Sequence, residues 1–368
     1  MKLPFADKRL GAIGSKLENG TRLSKEDGLL LFETQDLTGV GMLADTVRRR
    51  RHNDTAYYVY NQHLNYTNIC KNRCRFCAYA VDREDNGAYT WSMDEVEQRL
   101  RSRIDEPVNE LHIVGGLNPA LDFDYFIQLL KTVKRVRPTA SIKAFTCVEI
   151  DYLSGLSGLS VEETIGALKD AGLDMMPGGG AEVMSDRVRN ELFPKKIDSK
   201  RWLTIMEAVH NSGLTSNATM LYGHMETLEE RVDHLLKLRE LQDRTHGFSA
   251  YIPLAFHSAN TKLPHLPATT AMDDLKNIAV ARLLLDNFDH IKAYWVMIGE
   301  KLAQVALSYG ADDLDGTIIE ERITHTAGAT SAKGLTRKQM ERMIRSSGFV
   351  PVERDSFYRP VSPGQEVS

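Results

Sequence analysis

Three cysteines stand at C-x3-C-x2-C spacing in Cys70-Lys71-Asn72-Arg73-Cys74-Arg75-Phe76-Cys77, directly after the apolar/polar alternation His63-Leu64-Asn65-Tyr66-Thr67. A loop of this length can wrap a small inorganic cluster. Thiolates so spaced suit an iron–sulfur cube, and three of them leave one iron without a protein ligand, open to a cofactor or substrate. A structural zinc site is the alternative, but such sites are closed by four ligands, usually in paired knuckles, and the chain has no second C-x2-C. The remaining cysteine, Cys147, lies in Ser141–Val148, which reads as a buried strand, so it is expected to be a small core thiol.

Other residues suited to binding recur further along. Gly115-Gly116 lets the backbone approach a ligand closely, though any turn needing positive φ would use the same residues. Gly178-Gly179-Gly180 is the stronger signal, because three consecutive glycines are costly to order and seldom serve a turn alone. Glu182 and Arg189 follow, each also open to the plainer reading of a surface ion pair. Asn217 and Thr219 alternate along one run and give it a polar face expected to line a cavity. His224 and His257 are candidate cavity residues, ligands of a second metal, or hydrogen-bonded loop histidines; no H-x-x-x-H or carboxylate spacing supports the metal. Lys143 or Lys292 could pair with a substrate carboxylate or serve a buried ion pair.

To act together, these residues must be carried to one end of a sheet. From residue 63, short β-rich runs alternate with amphipathic stretches: His63–Thr67, Glu110–Val114, Ser141–Val148, Leu173–Met176, Thr215–Leu221, Phe248–Leu254, His290–Val296 and, more weakly, Leu314–Ile319. Capping boxes mark helix starts at Ser92 with Glu95, Ser160 with Glu163, Thr227 with Glu230 and Thr336 with Gln339. Eight repeats over about 250 residues predict an α/β fold, a closed TIM-type (β/α)8 barrel. A doubly wound open sheet is the competitor, disfavoured because a cysteine loop stands where a Gly-rich dinucleotide loop would follow the first strand. In a barrel the loops after the strands share one mouth, and the cysteines, Gly115-Gly116, Glu149 with Asp151, Pro177–Glu182, Tyr222-Gly223-His224 and His257 all fall there. Residues 1–60 read as an N-terminal helical extension covering the barrel, with one helix capped by Ser24 and another from Leu37 to Arg49. Residues 61–330 form the barrel, and 331–368 a C-terminal helix and a tail that frays from Pro360.

With 368 residues, 42% hydrophobic and 26% charged, the chain has the composition of a globular protein and can bury a sizeable core. A net charge of -4 with scattered basic residues leaves no nucleic-acid footprint, and Arg48-Arg49-Arg50-Arg51 reads as a solvated helix end. No apolar run approaches the roughly 20 residues of a membrane span. The expected partner is therefore a small molecule, with neither nucleic acid nor membrane, in a cytoplasmic setting where thiols stay reduced.

Read together, these segments resemble the aminofutalosine synthase family of radical S-adenosylmethionine enzymes. The cysteine loop fits the superfamily's C-x3-C-x-aromatic-C form, with Phe76 as the aromatic; Pro177–Glu182 and Ile252–His257 carry the narrower likeness, and matching stretches run from His63 to Ala329. Two residues depart from it: Asn118, where histidine is expected, and Cys147, where a small apolar residue is expected. The resemblance implies a [4Fe-4S] cluster on Cys70, Cys74 and Cys77, with S-adenosylmethionine as co-substrate on the open iron. It implies that Gly115-Gly116 takes the amino group of the cofactor's methionine, Arg189 its carboxylate, and Glu149, Glu182 and Tyr79 its other polar parts, while Asn217, His224 and His257 face an aromatic substrate. The implied reaction adds the 5'-deoxyadenosyl radical to 3-[(1-carboxyvinyl)oxy]benzoate, with aryl migration and decarboxylation, in menaquinone biosynthesis, fed by a one-electron reductant such as flavodoxin or ferredoxin. Two sibling enzymes that share these motifs stay open, the cyclic dehypoxanthinylfutalosine synthase and the hydroxyphenyl transferase of deazaflavin synthesis, as does a non-enzymatic iron–sulfur protein. An RNA-modifying radical enzyme is disfavoured by the lack of a basic patch.

Overall fold

Three helices open the chain in the computed structural model, which describes residues 4–361: α1 (Leu10–Glu18), α2 (Lys25–Glu33) and α3 (Leu37–His52). Ser24 forms a capping box with Asp27 at the start of α2, and the Asp36 side chain caps α3. Their buried residues, among them Leu31, Phe32, Val40 and Ala44, pack with the helix Ala271–Leu284, so this segment covers the barrel and shares its core. The arginine run that ends α3 is exposed at Arg49, Arg50 and Arg51, as expected of a solvated end, but not at Arg48. Arg48 is fully buried and donates to the carbonyls of Asn53, Thr55 and Ala311, and Arg51 donates to that of Phe288, which pins the helix end to the base of the barrel.

Ten strands follow: β1 (Thr55–Val59), β2 (Asn61–Leu64), β3 (Glu110–Ile113), β4 (Ser141–Ala144), β5 (Met175–Met176), β6 (Thr215–Tyr222), β7 (Phe248–Ala255), β8 (His290–Ile291), β9 (Asp313–Gly316) and β10 (Val350–Arg354). Strands β2 to β8 form one parallel sheet in sequence order. Residues 313–319 act as the eighth stave: Ala293 N donates to Asp313 O at 2.8 Å and His63 N donates to Ile319 O at 2.9 Å, so both sheet edges are bonded to it and the expected ring closes. A small parallel sheet, β10-β1-β9, extends the base.

All four expected capping boxes form. The crossover helix Phe123–Val136 buries an apolar stripe, Phe126, Leu129, Leu130 and Val133, at helical spacing, whereas Ala271–Leu284, covered by the N-terminal helices, is buried on all sides from Ile278 to Leu284.

Several boundaries differ from the sequence reading. The run Ser141–Val148 is a strand only to Ala144; Phe145 turns at φ +61° and Thr146 caps the helix Cys147–Ser157, so Cys147 is a buried core thiol on a helix. The run His290–Val296 pairs over His290–Ile291 and then turns helical at Trp295. Strand β1 falls inside the segment read as purely helical. The C-terminal segment adds β10, against which Val361 N bonds Glu353 O at 2.8 Å, so the start of the tail is paired; the rest of it lies outside the described residues.

Candidate active site

Cys70, Cys74 and Cys77 line one cavity of about 340 Å³ at the C-terminal mouth of the barrel. Backbone bonds to neighbouring loops hold their segment in shape: Cys70 N to Val81 O at 3.2 Å, Lys71 N to Leu117 O at 3.0 Å and Arg75 N to Leu192 O at 2.8 Å. Gly116 must be glycine here, since a Cβ would stand 2.2 Å from the carbonyl oxygen of Ile69 and 2.9 Å from the Cβ of Cys70. Gly115 is constrained likewise by the ring of Tyr66, 2.7 Å from where its Cβ would be. Burial pushes the Cys74 thiol up to about 12 and raises Cys77 as well, while the nearby charge of Lys196 opposes both. Such thiols are poor free nucleophiles, and a metal would have to displace their protons to bind them. Cys147 is not on the cavity wall. The donor set is therefore three sulfurs beside a glycine cradle, which fits a [4Fe-4S] cluster with one open iron.

Glu149 lines the cavity, but its oxygens are engaged by the chain itself. Oε1 accepts from the Tyr66 hydroxyl at 3.0 Å and from Gly115 N at 3.3 Å, and Oε2 accepts from Thr146 N at 2.7 Å. It thus closes the capping box of its helix and ties that helix to the Gly115 loop. Burial raises its carboxyl to about 6 against these bonds.

The Pro177–Glu182 turn is shaped by close backbone approach. Gly178, at φ +81°, would place a Cβ 1.8 Å from Asn217 O, and Gly180, at φ +95°, one 2.7 Å from Val148. Glu182 itself turns at φ +52° and pairs with the ammonium of Lys196, both on the cavity wall. Lys196 also lies over the rings of Phe76 and Phe193, 5.1 and 5.6 Å from their centroids. Arg189 is placed differently from the role implied for it. It does not line the cavity; its guanidinium donates to the carbonyls of Pro194 at 3.2 Å and Lys196 at 2.9 Å, so it braces the turn that carries Lys196.

Of the residues expected to face substrate, His257 and Thr219 line the cavity, the former with Nε2 2.9 Å from Met297 O. Asn217, buried on the same face of β6, does not line it. His224 is not a cavity residue: its side chain is fully buried, with Nε2 3.0 Å from Leu221 O and Nδ1 2.9 Å from Glu226. The adjacent Gly223, at φ +90°, begins the turn that folds it back. Tyr79 lines the cavity and its hydroxyl sits between Thr67 O at 3.2 Å and the Tyr89 hydroxyl at 2.5 Å. Asn118 stands off the wall, donating to Thr90 Oγ1 at 2.8 Å and accepting from Ala120 N at 2.9 Å. Lys143 and Lys292 take the ion-pair option, with Glu110 at 2.6 Å and Asp315 at 3.4 Å.

The floor of the cavity was not assigned from sequence. His63 on β2 and His112 on β3 are register partners whose rings stack at 4.4 Å and 7°, joined on the wall by Tyr294, Asp315 and Glu321. The available signal was the polar alternation Asn61/His63 and Glu110/His112, which marks inward positions on adjacent staves.

Comparison with known proteins agrees with this geometry. Residues 64–238 match the model of the radical SAM superfamily, and residues 245–366 that of the CofH/MqnC C-terminal region. The chain is 45% identical to an aminodeoxyfutalosine synthase of Thermus thermophilus over 96% of both chains. It is 40% identical to one of Streptomyces coelicolor, covering 93% of this chain and 92% of that one. A 5-amino-6-(D-ribitylamino)uracil–L-tyrosine 4-hydroxyphenyl transferase of Methanosarcina barkeri is 37% identical, covering 93% and 90%. Among solved structures, methylornithine synthase superposes with TM-score 0.72 at 17% identity, covering 92% of this chain and 97% of its own, a likeness of fold.

Proposed function

We propose a specific reaction on the premise that this chain belongs to the radical S-adenosylmethionine superfamily, in the family of aminodeoxyfutalosine synthases and 4-hydroxyphenyl transferases. Membership makes it an enzyme, a radical SAM transferase that uses a [4Fe-4S] cluster and S-adenosylmethionine and acts on a small molecule. The proposed reaction is that of an aminofutalosine synthase: the adenosyl carbon joins the vinyl group of 3-[(1-carboxyvinyl)oxy]benzoate, the aryl group migrates, and carbon dioxide is lost. The observation carrying this finer reading is 45% identity with an aminodeoxyfutalosine synthase over 96% of both chains. Its source of electrons is proposed to be a flavodoxin or ferredoxin, in a cytoplasmic setting that keeps the cysteines reduced. No helix among the described residues is long and apolar enough to cross a membrane.

When bound, the cluster and its cofactor supply reductive cleavage of the sulfonium, delivering an adenosyl carbon radical to the cavity. The chain's own part is holding and positioning. Cys70, Cys74 and Cys77 hold the iron; Gly115 and Gly116 let the cofactor's polar end lie against backbone; Glu149 and Tyr66 keep that loop in place. Glu182 and Lys196 set the charge beside the cysteines, and Tyr79 closes the wall. Thr219 and His257 offer polar contacts deeper in, while Leu221, Ile252, Leu254 and Phe256 exclude water, so that a reactive carbon meets the alkene before solvent. Holding the reacting carbons at roughly 3–3.5 Å is what makes addition faster than escape.

The test is anaerobic turnover with S-adenosylmethionine labelled in its adenosine part, a reductant and the enol-ether benzoate, followed by mass analysis. The label is expected in an aryl-ketone nucleoside, with methionine and carbon dioxide released and little 5'-deoxyadenosine. Labelled 5'-deoxyadenosine beside unchanged benzoate refutes the reading. Tyrosine with the ribitylaminouracil, offered in the same assay, tests the activity named for the 37% identical relative.

A further inference from the structure

The chain has 11 histidines. Two, His246 and His265, are exposed. Seven of the rest have a hydrogen-bond or ion-pair partner: His52, His210, His224, His234, His257, His290 and His325. His63 and His112 are the exception. Among the described residues, neither ring has a hydrogen-bond partner, although His63 is only 5% exposed and both line the cavity floor. Buried polar groups are paired as a rule, and an unpaired pair facing a cavity points to a ligand that completes it.

The surrounding charges say what kind of ligand. The carboxylates whose charge bears on His63 each have a partner in the chain: Glu110 with Lys143 at 2.6 Å, Asp315 with Lys292 at 3.4 Å and Glu321 with His325 at 2.8 Å. Burial holds His63 and His112 toward their neutral forms; Glu321, Asp315 and Glu110 oppose this at His63, while Lys143 adds to it at both rings and Lys292 at His112. The balance leaves no spare cation for an incoming anion, and an unpaired anion is costly in such a site. The two imidazoles are the groups there that can gain charge near neutral pH and so supply the missing one. Stacked 4.4 Å apart and nearly parallel, they can present ring nitrogens side by side to a two-oxygen acceptor.

We propose that the stacked pair His63–His112 binds one carboxylate of the aromatic substrate, the pair taking up one proton from solvent as the carboxylate enters. This rests on the enol-ether benzoate reading above. The rings are positioning groups: they hold the aryl end so that the alkene faces the cofactor at the mouth.

The test uses cluster-loaded enzyme with His63→Phe, His112→Phe and, in case the aromatic swaps disturb folding, His112→Gln. Each Phe variant is expected to raise KM for the enol-ether benzoate about 10- to 100-fold, the range for a lost charge-assisted hydrogen bond, with iron content and slow substrate-free S-adenosylmethionine cleavage as in wild type. His112→Gln, which can hydrogen-bond but not take up the proton, should fall between. The second readout is calorimetric titration of the vinyl-reduced analogue, 3-[(1-carboxyethyl)oxy]benzoate, in two buffers of different ionisation enthalpy. Uptake of about one proton is expected in wild type and less in each variant, which keeps one of the two imidazoles. Unchanged KM in the variants, or binding without proton uptake in wild type, overturns the inference while wild-type turnover leaves the reading standing. Wild-type enzyme inert toward the benzoate overturns both.

Discussion

Among the described residues, Lys196 is the one lysine or arginine on the cavity wall beside the cysteines. Burial alone would push its ammonium down, and the charge of Glu182 overrides that and holds it above its ordinary value. Lys196→Met should therefore leave Glu182 as an unpaired buried carboxylate and cost about 3–5 kcal/mol, whereas adding Glu182→Gln should recover most of the loss. Urea unfolding of the single and double variants checks this; equal destabilisation by both would show that the pair is not coupled. Gly116→Ala carries a different cost, because the new Cβ collides with the carbonyl of Ile69 and displaces the cysteine loop. Its expected outcome is loss of iron loading with circular dichroism unchanged, while Cys147→Ala keeps full iron loading; iron and sulfide analysis after anaerobic reconstitution decides. The cysteines were legible in the sequence because their chemistry depends on spacing within one loop. Lys196 was not, because its meaning comes from Glu182 fourteen residues earlier, brought alongside by the helix Asp186–Leu192 and the turn after it that Arg189 braces. Arg189 and His224 carried the right chemistry in the right region, and backbone turns gave them other partners.

At the scale of elements, alternation and capping boxes located the barrel strands and several of the helices that cross between them, since both are local signals. What they missed is where a strand gives way to a helix. Thr146-Cys147-Val148-Glu149 is itself a capping box, but the apolar, β-branched composition of Ser141–Val148 hides it. That junction carries a pH dependence. Glu149 is raised from 4.5 to about 6 by burial, so between those values the native state binds more protons than the unfolded chain, and stability falls as pH rises. The shift is worth about 2 kcal/mol. Relative to Glu149→Gln, wild type should lose that amount between about pH 4.5 and 6 and change little above pH 7. Denaturant titrations of both proteins across this range measure it; a difference independent of pH would mean that the carboxyl is not desolvated. The eighth stave, 313–319, was weakly legible for another reason: it is charged and short, and its strand character comes from bonding β8 and β2 at once.

At the scale of the molecule, the question is whether the cluster holds the fold or the fold holds the cluster. A structural metal supplies folding energy in domains too small to bury a core. Here one continuous apolar core runs through the barrel, the crossover helices and the N-terminal cover. The cysteine loop, moreover, is tied by backbone bonds to Val81, Leu117 and Leu192 without help from sulfur. Removing iron anaerobically with a chelator should accordingly leave far-UV circular dichroism and the cooperativity of unfolding nearly unchanged. The base of the barrel should behave in the opposite way. Arg354, on the last strand, is 1% exposed and its Nε lies 2.6 Å from Asp313, itself fully buried, while Ser356 donates to Glu110 at 2.8 Å. Arg354→Ala strands Asp313 in the interior and should cost about 3–5 kcal/mol, at two residues that do not line the cavity. The two experiments share one readout, urea unfolding of the whole chain, and their ranking is the prediction: a small change on iron removal and a large one on Arg354→Ala. The reverse ranking would mean that the cluster organises this barrel and that the buried charges at its base are incidental.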